Sequence, residues 1–294
     1  VDVSSSDAQK SNEISEDLAG GIQAAIDAAS SGDTIAVASG TYTETLNLRG
    51  KALTIDGVGV AETILDASGF IGYAVSNFGD STTVKDLKLI GTTDSSTGYG
   101  FKVSGANNVT LSNILVDDSA KTGIDLNGVN TATLSDIEVT NTAGGFGLAI
   151  VDSNDVSVNG VTTSGNAWGG VSIQSYGEFY PGGCDNIDFQ GTFSASEPAP
   201  LLIEQDPDPA DGTTYYDITN VNIPSQFDYV VYGERESSGY RQWHYQETLS
   251  EAKTLAQGMA TSTSPTYIDT VIYDIAETNY YVIEEILIQD AIDA

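Results

Sequence analysis

The chain has 294 residues, with 42 acidic against 10 basic side chains and a formal net charge of −32 at pH 7. That balance disfavours nucleic acid and anionic lipid as partners, and acidic polysaccharides would need bridging cations to approach. The lone cysteine, Cys184, excludes an internal disulfide framework, a zinc cluster and a redox pair, so a small apolar filler is expected there.

No apolar run approaches the ~18 residues of a membrane span, so no membrane insertion is expected. Val1 and the residues after it lack the layout of a secretion signal, which reads as a mature or excised piece of a longer protein. Residues 1–14 are small and polar and predict an arm with little structure of its own. Leu18, Ile22, Ile26 and Ala29 then recur every three or four positions, with Glu16 and Asp17 ahead and Gly32 behind. This describes a short amphipathic helix, and residues 1–33 form an arm and a cap. Residues 34–37, 46–48, 53–55 and 63–65 read as strands, and Gly40-Thr41-Tyr42-Thr43-Glu44 as a turn. The stretches Ile22-Gln23-Ala24-Ala25-Ile26-Asp27-Ala28-Ala29, Gly32-Asp33-Thr34-Ile35 and Gly40-Thr41-Tyr42-Thr43-Glu44 resemble the opening of right-handed β-helix proteins of the pectin-lyase-like superfamily, including pectin methylesterases. The resemblance implies a right-handed parallel β-helix whose first coil is covered by a helix. The glutamine-aspartate-threonine and aspartate-phenylalanine-isoleucine contexts of the methylesterases are missing, so that activity is not carried over.

The middle of the chain is periodic. Gly100-Phe101-Lys102-Val103 returns as Gly123-Ile124-Asp125-Leu126, Gly147-Leu148-Ala149-Ile150 and Gly170-Val171-Ser172-Ile173, at steps of 23, 24 and 23. A period this short is below the ~33 residues of helical repeats and suits one coil of short strands and turns. Apolar pairs keep the same beat at Val84 and Leu87, Leu111 and Ile114, Leu134 and Ile137, Val158 and Val161, Phe189 and Thr192, and Ile218 and Val221. The longer later steps place insertions at 174–184 and 195–215. Asn107, Asn130, Asn154 and Asp185 precede the pairs by a constant offset and predict a side-chain amide ladder at a turn requiring left-handed backbone. Lys102 and Asp125 are expected to pair on an exposed outer face, worth ~0 to 1 kcal/mol.

After residue 225 the beat is lost, with a helix expected over 243–259 and strands over 267–274 and 280–284. The fold class that follows is all-β. It is a right-handed parallel β-helix solenoid over 34–225, with an N-terminal capping helix and a small C-terminal α/β extension over 226–279. Residues 288–294 repeat 22–28 with one difference, so 280–294 read as the start of a next tandem module, as in large bacterial surface or secreted proteins, which this arrangement resembles.

Glu204, Asp206, Asp208 and Asp211 have the spacing of a loose calcium loop, because hard cations take several carboxylate oxygens. Trp168, Tyr176, Phe179, Tyr180, Tyr215 and Tyr216 cluster around the two insertions and suggest a groove with rings on which a neutral glycan stacks. Asp117 and Asp118 are the neighbouring carboxylates of the coil region and the catalytic candidates if the chain is an enzyme. No complete catalytic set stands out. The expectation is a non-catalytic module of a large extracellular or cell-surface protein, a spacer or adhesive element whose partners are glycans or neighbouring modules of the same chain. The alternative is a carbohydrate-active enzyme, either a calcium-assisted polysaccharide lyase or a glycoside hydrolase.

Overall fold

The computed structural model describes residues 11–14, 21–176, 183–207, 215–236, 238–263, 266–276 and 280–282. The chain winds into a parallel β-helix with two sheets, and its crossovers are right-handed as the strand twist requires. Sheet A is parallel in the order Ser11–Ile14, Thr34–Val37, Thr54–Asp56, Thr83–Ile90, Asn107–Asp117, Asn130–Thr140, Asn154–Ser164, Cys184–Ala195 and Ile218–Asn222. Sheet B begins with Leu46–Asn47 and Val75–Ser76 and continues through Phe101–Ser104, Ile124–Asn127, Phe146–Val151 and Gly169–Ser175 to Leu201–Gln205. There it turns antiparallel, adding Arg241–Gln246, Tyr229–Arg235, Tyr267–Asp274 and Tyr280–Val282. The expected N-terminal arm is in part a strand, since Ser11–Ile14 pairs with Thr34–Val37. Likewise Gly40–Tyr42 is a strand paired with Thr63–Asp66 rather than a turn.

Register puts like residues over like. Val84, Leu111, Leu134, Val158 and Phe189 form one buried column, and Leu87, Ile114, Ile137, Val161 and Phe193 form a second. Across the interior, Phe101, Ile124, Leu148, Val171 and Leu201 stack against Val103, Leu126, Ile150, Ile173 and Ile203. Each such side chain contributes ~1.5 to 3 kcal/mol by leaving water. The last two apolar pairs expected from the spacing are displaced. A bulge at Gly191 makes Phe193, not Thr192, the partner of Val161, while Ile218 pairs with Cys184 and Val221 with Ile187.

The long strands of sheet A bend at left-handed residues that also stack. One bend comprises Ser81, Asn108, Thr131, Asp155, Asn186 and Asn220, and the next Asp86, Asn113, Asp136, Gly160 and Gly191. The left-handed column therefore lies one residue after the expected Asn107, Asn130, Asn154 and Asp185. Short polar side chains favour it because they bond locally at low cost in that region. In place of the expected ladder through Asn107, Asn130, Asn154 and Asp185, single rungs form in the bend columns: Asn108 Nδ2 donates to Ser81 Oγ at 3.2 Å, Asn113 Nδ2 to Asp86 Oδ1 at 2.7 Å, and Asn186 Nδ2 to Asp155 Oδ1 at 2.6 Å.

The glycine column has a different cause. Gly100, Gly123, Gly147 and Gly170 have ordinary backbone angles, but a Cβ on Gly147 would sit 2.8 Å from Thr163 Cγ2, and one on Gly123 would collide with Val139 Cγ1. The turn into sheet B runs against the branched inner residues Val116, Val139 and Thr163, and only hydrogen fits. Pro200 takes this place in the next coil, pairing with Gly170 just before Leu201 meets Val171. With the glycine gone the column is hidden, and Leu201–Gln205, inside the insertion expected at 195–215, is a regular strand of sheet B.

Both ends of the solenoid are closed. Helix α1 (Gly21–Ala28) buries Ile22 and Ile26, and side chains of the first coil hold its ends. The Glu44 carboxylate accepts from the N–H groups of Ile22 and Gln23, both at 2.8 Å, while Lys51 Nζ donates to the carbonyls of Ile26 at 2.7 Å and Ala29 at 2.8 Å. Each charge complements the helix dipole at its end. The Gln23 amide bonds both backbone groups of Asn47, which satisfies the open edge of sheet B. At the other end, Arg241–Gln246 is a strand where a helix was expected. Its side chains alternate, with Trp243 and Tyr245 covering the coil interior and Gln242, His244 and Gln246 buried on the other face. Helix α2 (Leu249–Ala260) starts at Thr248, which forms a capping box with Glu251, and packs Ala252, Ala256 and Met259 against Val231 and Ile272.

Replacing Gly123 with alanine is expected to cost ~1 to 3 kcal/mol by overpacking. Gly105→Ala should lose only ~1 kcal/mol, because Gly105 has φ +65 but open space around its Cβ position. Denaturant unfolding of the two variants measures the difference. Glu44→Ala should lose about 1 kcal/mol by the same measurement.

Candidate acid-base site

The C-terminal ends of three successive sheet-B strands converge where the sheet passes from parallel to antiparallel. Asp152 follows Phe146–Val151 in the left-handed conformation (φ 44), and its Oδ1 accepts the N–H of Tyr176 at 3.0 Å. Gln174 and Glu204 pair in register on the outer face, and Gln174 Nε2 donates to Glu204 Oε1 at 3.2 Å. Asp206 follows Leu201–Gln205 and is fixed by its N–H to the Ser175 carbonyl at 3.1 Å.

Glu204 is 4% exposed yet well supplied with donors. The Tyr176 hydroxyl donates to its Oε1 at 3.2 Å, the Gln242 amide to its Oε2, and Arg235 Nη2 lies 3.8 Å from Oε2. The Tyr267 hydroxyl donates to Gln242 Oε1 at 2.9 Å, which turns the amide N–H of Gln242 toward Glu204. Buried charge is tolerated only with such partners. Asp206 is treated differently. It bonds the Tyr240 hydroxyl, but among the described residues its Oδ1 meets no donor. Burial, reinforced by the charges of Glu204 and Asp152, pushes its carboxyl from 3.8 up to about 7. Burial and the same Glu204 charge raise Tyr176 well above the ordinary tyrosine value. One acid surrounded by hydrogen-bond donors beside another poised near neutrality is an unequal pair of the kind that proton-transfer chemistry uses.

The structure brings some of the sequence candidates together and separates others. Glu204 and Asp206 belong to the cluster, while Asp208 and Asp211 lie outside the described residues. Among the described residues no group of three or more His, Cys, Asp or Glu side chains is arranged to hold a metal ion. Tyr176 is partly buried, with its hydroxyl on Glu204. The Tyr215 ring lies under the Arg241 guanidinium at 3.7 Å, its hydroxyl donating to the Gly239 carbonyl. Ser175 Oγ donates to the Tyr216 carbonyl at 3.1 Å. Phe179 and Tyr180 lie outside the described residues. Trp168 is 61% exposed, against Phe146, and stands at the opposite end of Gly169–Ser175 from Tyr176.

Asp117 and Asp118 are elsewhere, at the end of a sheet-A strand. Asp117 accepts from Lys88 Nζ, Thr140 Oγ1 and Asn141 Nδ2. Burial would raise its pKa, but these bonds outweigh it and hold the carboxyl low. Asp118 occupies an exposed left-handed bend. The Lys102–Asp125 pair is not exposed as expected: its side-chain exposures are 17% and 5%, and the Lys102 ammonium also lies 4.9 Å from the Tyr99 ring centre. Cys184 is the expected filler, buried, with its thiol pushed up by burial to about 12. Asp152, Gln174, Arg235, Tyr240 and Gln242 carry no signal in the sequence, since only strand register gathers them. Glu204 lies opposite Gln174 at a step of 30 residues rather than 23, so the sequence period does not place it there. A wider cavity of about 700 Å³ lies between α2 and residues 195–200. Its buried acid, Glu197, is taken up by Thr163 and Asn166.

A family model described as right handed beta helix region matches residues 66–191, less than half of the chain. No curated protein matches the sequence. Among solved structures, the catalytic domain of a GH87 alpha-1,3-glucanase in complex with nigerose is similar at 18% identity and a TM-score of 0.39, covering 59% of this chain and 36% of that one. A variant of that catalytic domain with tetrasaccharides gives 18% and 0.41, with 64% and 40% covered. Another variant with tetrasaccharides gives 14% and 0.37, with 74% and 51% covered. The chain thus matches about half of those chains or less. Its own strand order is that of a parallel β-helix, and the family model that matches residues 66–191 describes the right-handed form.

Proposed function

We propose that the chain acts on a glycan as a hydrolase, with Asp206 as proton donor and acceptor and Glu204 as a fixed negative charge. The observation that supports this reading is the unequal pair: Glu204 saturated with donors, Asp206 poised at about 7 beside it and Asp152. Protonated Asp206 gives its proton to the glycosidic oxygen as the bond to the anomeric carbon breaks. The Glu204 charge stabilises the positive charge that develops on the sugar ring, and the Asp206 carboxylate then takes a proton from the attacking water. The acidic surface and single cysteine suit secretion or display at a cell surface. Calcium, read from the 204–211 spacing, belongs to the lyase alternative of the glycan reading, in which Glu204 and Asp206 would serve as ligands instead of proton-transfer groups.

The second reading is a non-catalytic spacer or adhesive module. It is favoured by the burial of Glu204, whose oxygens already face four protein groups. Reducing-end release from a panel of α- and β-glucans and other neutral polysaccharides separates the two. Hydrolysis that falls by about 10²- to 10⁴-fold in Asp206→Asn, with melting temperature retained, supports the enzyme. Glycan-array binding with no product from any polysaccharide supports the module.

A second consequence does not depend on turnover. The folded Asp206 carboxyl titrates near 7 and the unfolded one near 3.8, so between these values the folded state holds a proton that the unfolded chain has released. The stability this confers is complete below the lower value and is lost as pH rises through the upper one. Asp206→Asn cannot ionise, so its melting temperature should rise relative to the parent between about pH 5 and about pH 8.5. Scanning calorimetry at both pH values measures the change.

A further inference from the structure

Opposite the acid cluster, at the N-terminal ends of the sheet-B strands, the turns carry a stripe of aromatic and aliphatic side chains parallel to the solenoid axis. Backbone bonds continue the coil register through these turns, from Ala74 N–H to the Tyr99 carbonyl, Gly100 to Thr122, Gly123 to Phe146, and Trp168 to Gly145. Tyr73, Tyr99, Thr122 and Phe146 therefore occupy successive coils, with Trp168 in the coil after Phe146. The rings of Tyr73 and Tyr99 are 5.9 Å apart, as are those of Phe146 and Trp168. Lys121 fills the gap, its ammonium 5.6 Å from the Tyr99 ring centre.

Folding does not require this stripe to be exposed. Trp168 is 61% exposed, Ile71 86% and Tyr73 39%, and these are three of the six large exposed apolar side chains among the described residues. The inward residues of the same turns are fully buried, so the outward rings add nothing to the core. The exposed members stand at the two ends of the row, Ile71 and Tyr73 at one and Trp168 at the other, with Thr122 and Phe146 buried between them, and exposed rings in such a row offer a contact surface. Its shape is linear, about four strand spacings or roughly 19 Å long, which fits an extended chain rather than a compact ligand. Its chemistry is stacking rings with two ammonium groups beside Tyr99, Lys102 at 4.9 Å from the ring centre and already paired with Asp125, and Lys121 at 5.6 Å. In a chain of net charge −32 the surrounding field repels polyanions, which leaves an uncharged, hydroxyl-rich chain as the occupant.

We propose that Tyr73, Tyr99, Lys121 and Trp168 form a binding edge for a neutral oligosaccharide, laid along the solenoid axis, with pyranose faces on the rings and Lys121 donating to hydroxyls. The occupant class deepens the glycan reading and rests on it, but the edge and the acid cluster lie at opposite ends of the same strands and are tested separately. The chain has two tryptophans, Trp168 and Trp243, and Trp243 packs on the coil interior. In a Trp243→Phe background, or in the parent protein should that variant not fold, Trp168 emission is titrated with neutral gluco-oligosaccharides of one to six units, and with oligogalacturonides as the charged counterpart. Isothermal calorimetry runs in parallel. The expected result is a saturable change of Trp168 emission with the neutral chains, stronger for longer ones. Tyr73→Ala and Trp168→Ala should each weaken binding by calorimetry about tenfold. Binding that depends on these rings, without hydrolysis of any polysaccharide by the parent protein, would sink the hydrolase reading and support the edge. Calorimetric binding unaffected by Tyr73→Ala and Trp168→Ala, a preference for the oligogalacturonides, or no binding of any neutral chain would overturn the proposal.

Discussion

Parallel strands lie one hydrogen-bonded spacing apart, about 4.8 Å, and a coil wound on them must repeat that spacing at every position along its path. The constraint dictates most of this molecule. An inward side chain must sit on its equivalent below, so the interior sorts into single-type columns such as Leu111 on Leu134 or Ile124 on Leu148. Each bend must also recur in place, which brings left-handed residues into rows where amides can bond to neighbouring side chains. Where a turn runs close to an inner branched residue, every coil needs glycine at that point until the turn changes shape at Pro200. The solenoid extends by adding neighbours, so its length is limited by its ends rather than its core.

Those ends are solved with unlike means. At the first coil, Glu44, Lys51 and Gln23 convert a helix and an open sheet edge into mutual partners. The Gly40-Thr41-Tyr42-Thr43-Glu44 motif thereby has a structural role, because its last residue neutralises the helix N-terminus. At the other end the sheet reverses direction. Antiparallel strands stop the addition of further coils at Leu201–Gln205, and Phe193, Phe227 and Tyr245 pack edge to face across the opening. The acid cluster sits at this change of direction. A regular coil places equivalent residues over one another, which would stack like charges, and it is the incoming strands that supply Arg235, Tyr240 and Gln242 to a carboxylate from the coil.

This geometry explains what is legible in the sequence. Columns of like residues at constant spacing survive as periodicity, so the coil, the capping helix and the strand at 267–274 can be read. Insertions and bulges break the count, which displaces Thr192, Ile218 and Val221 and hides Leu201–Gln205. Trp243 and Tyr245 look helical because an apolar run into a true helix is continuous with it, although Thr248 and Glu251 mark where that helix begins. The candidate site is half visible. Glu204 and Asp206 stand out by local acid spacing, but Asp152 and Arg235, separated from them by many residues, are joined to them only by register and by strand reversal.

The buried polar groups of the extension also show where the fold accepts instability. His244 lies in the middle strand of the antiparallel part, opposite Leu202 on one side and Val231 on the other. Among the described residues neither of its ring nitrogens has a partner, and burial, assisted by the Arg235 charge, pulls its pKa down to about 4. A neutral imidazole without hydrogen bonds costs desolvation energy that an apolar residue would not. Glu204, a few residues from it across the sheet, is buried only because every neighbouring donor is turned toward it, so removing one partner leaves the rest less compensated. The coil interior is mainly apolar, yet the coil too buries polar atoms without partners among the described residues, such as Ser119 Oγ, Asn127 Oδ1 and Ser172 Oγ. What sets the junction apart is the source of the partners: a row of coils holds Glu204 and Asp206, and the chain beyond the coil supplies Arg235 and Gln242 to the first and Tyr240 to the second.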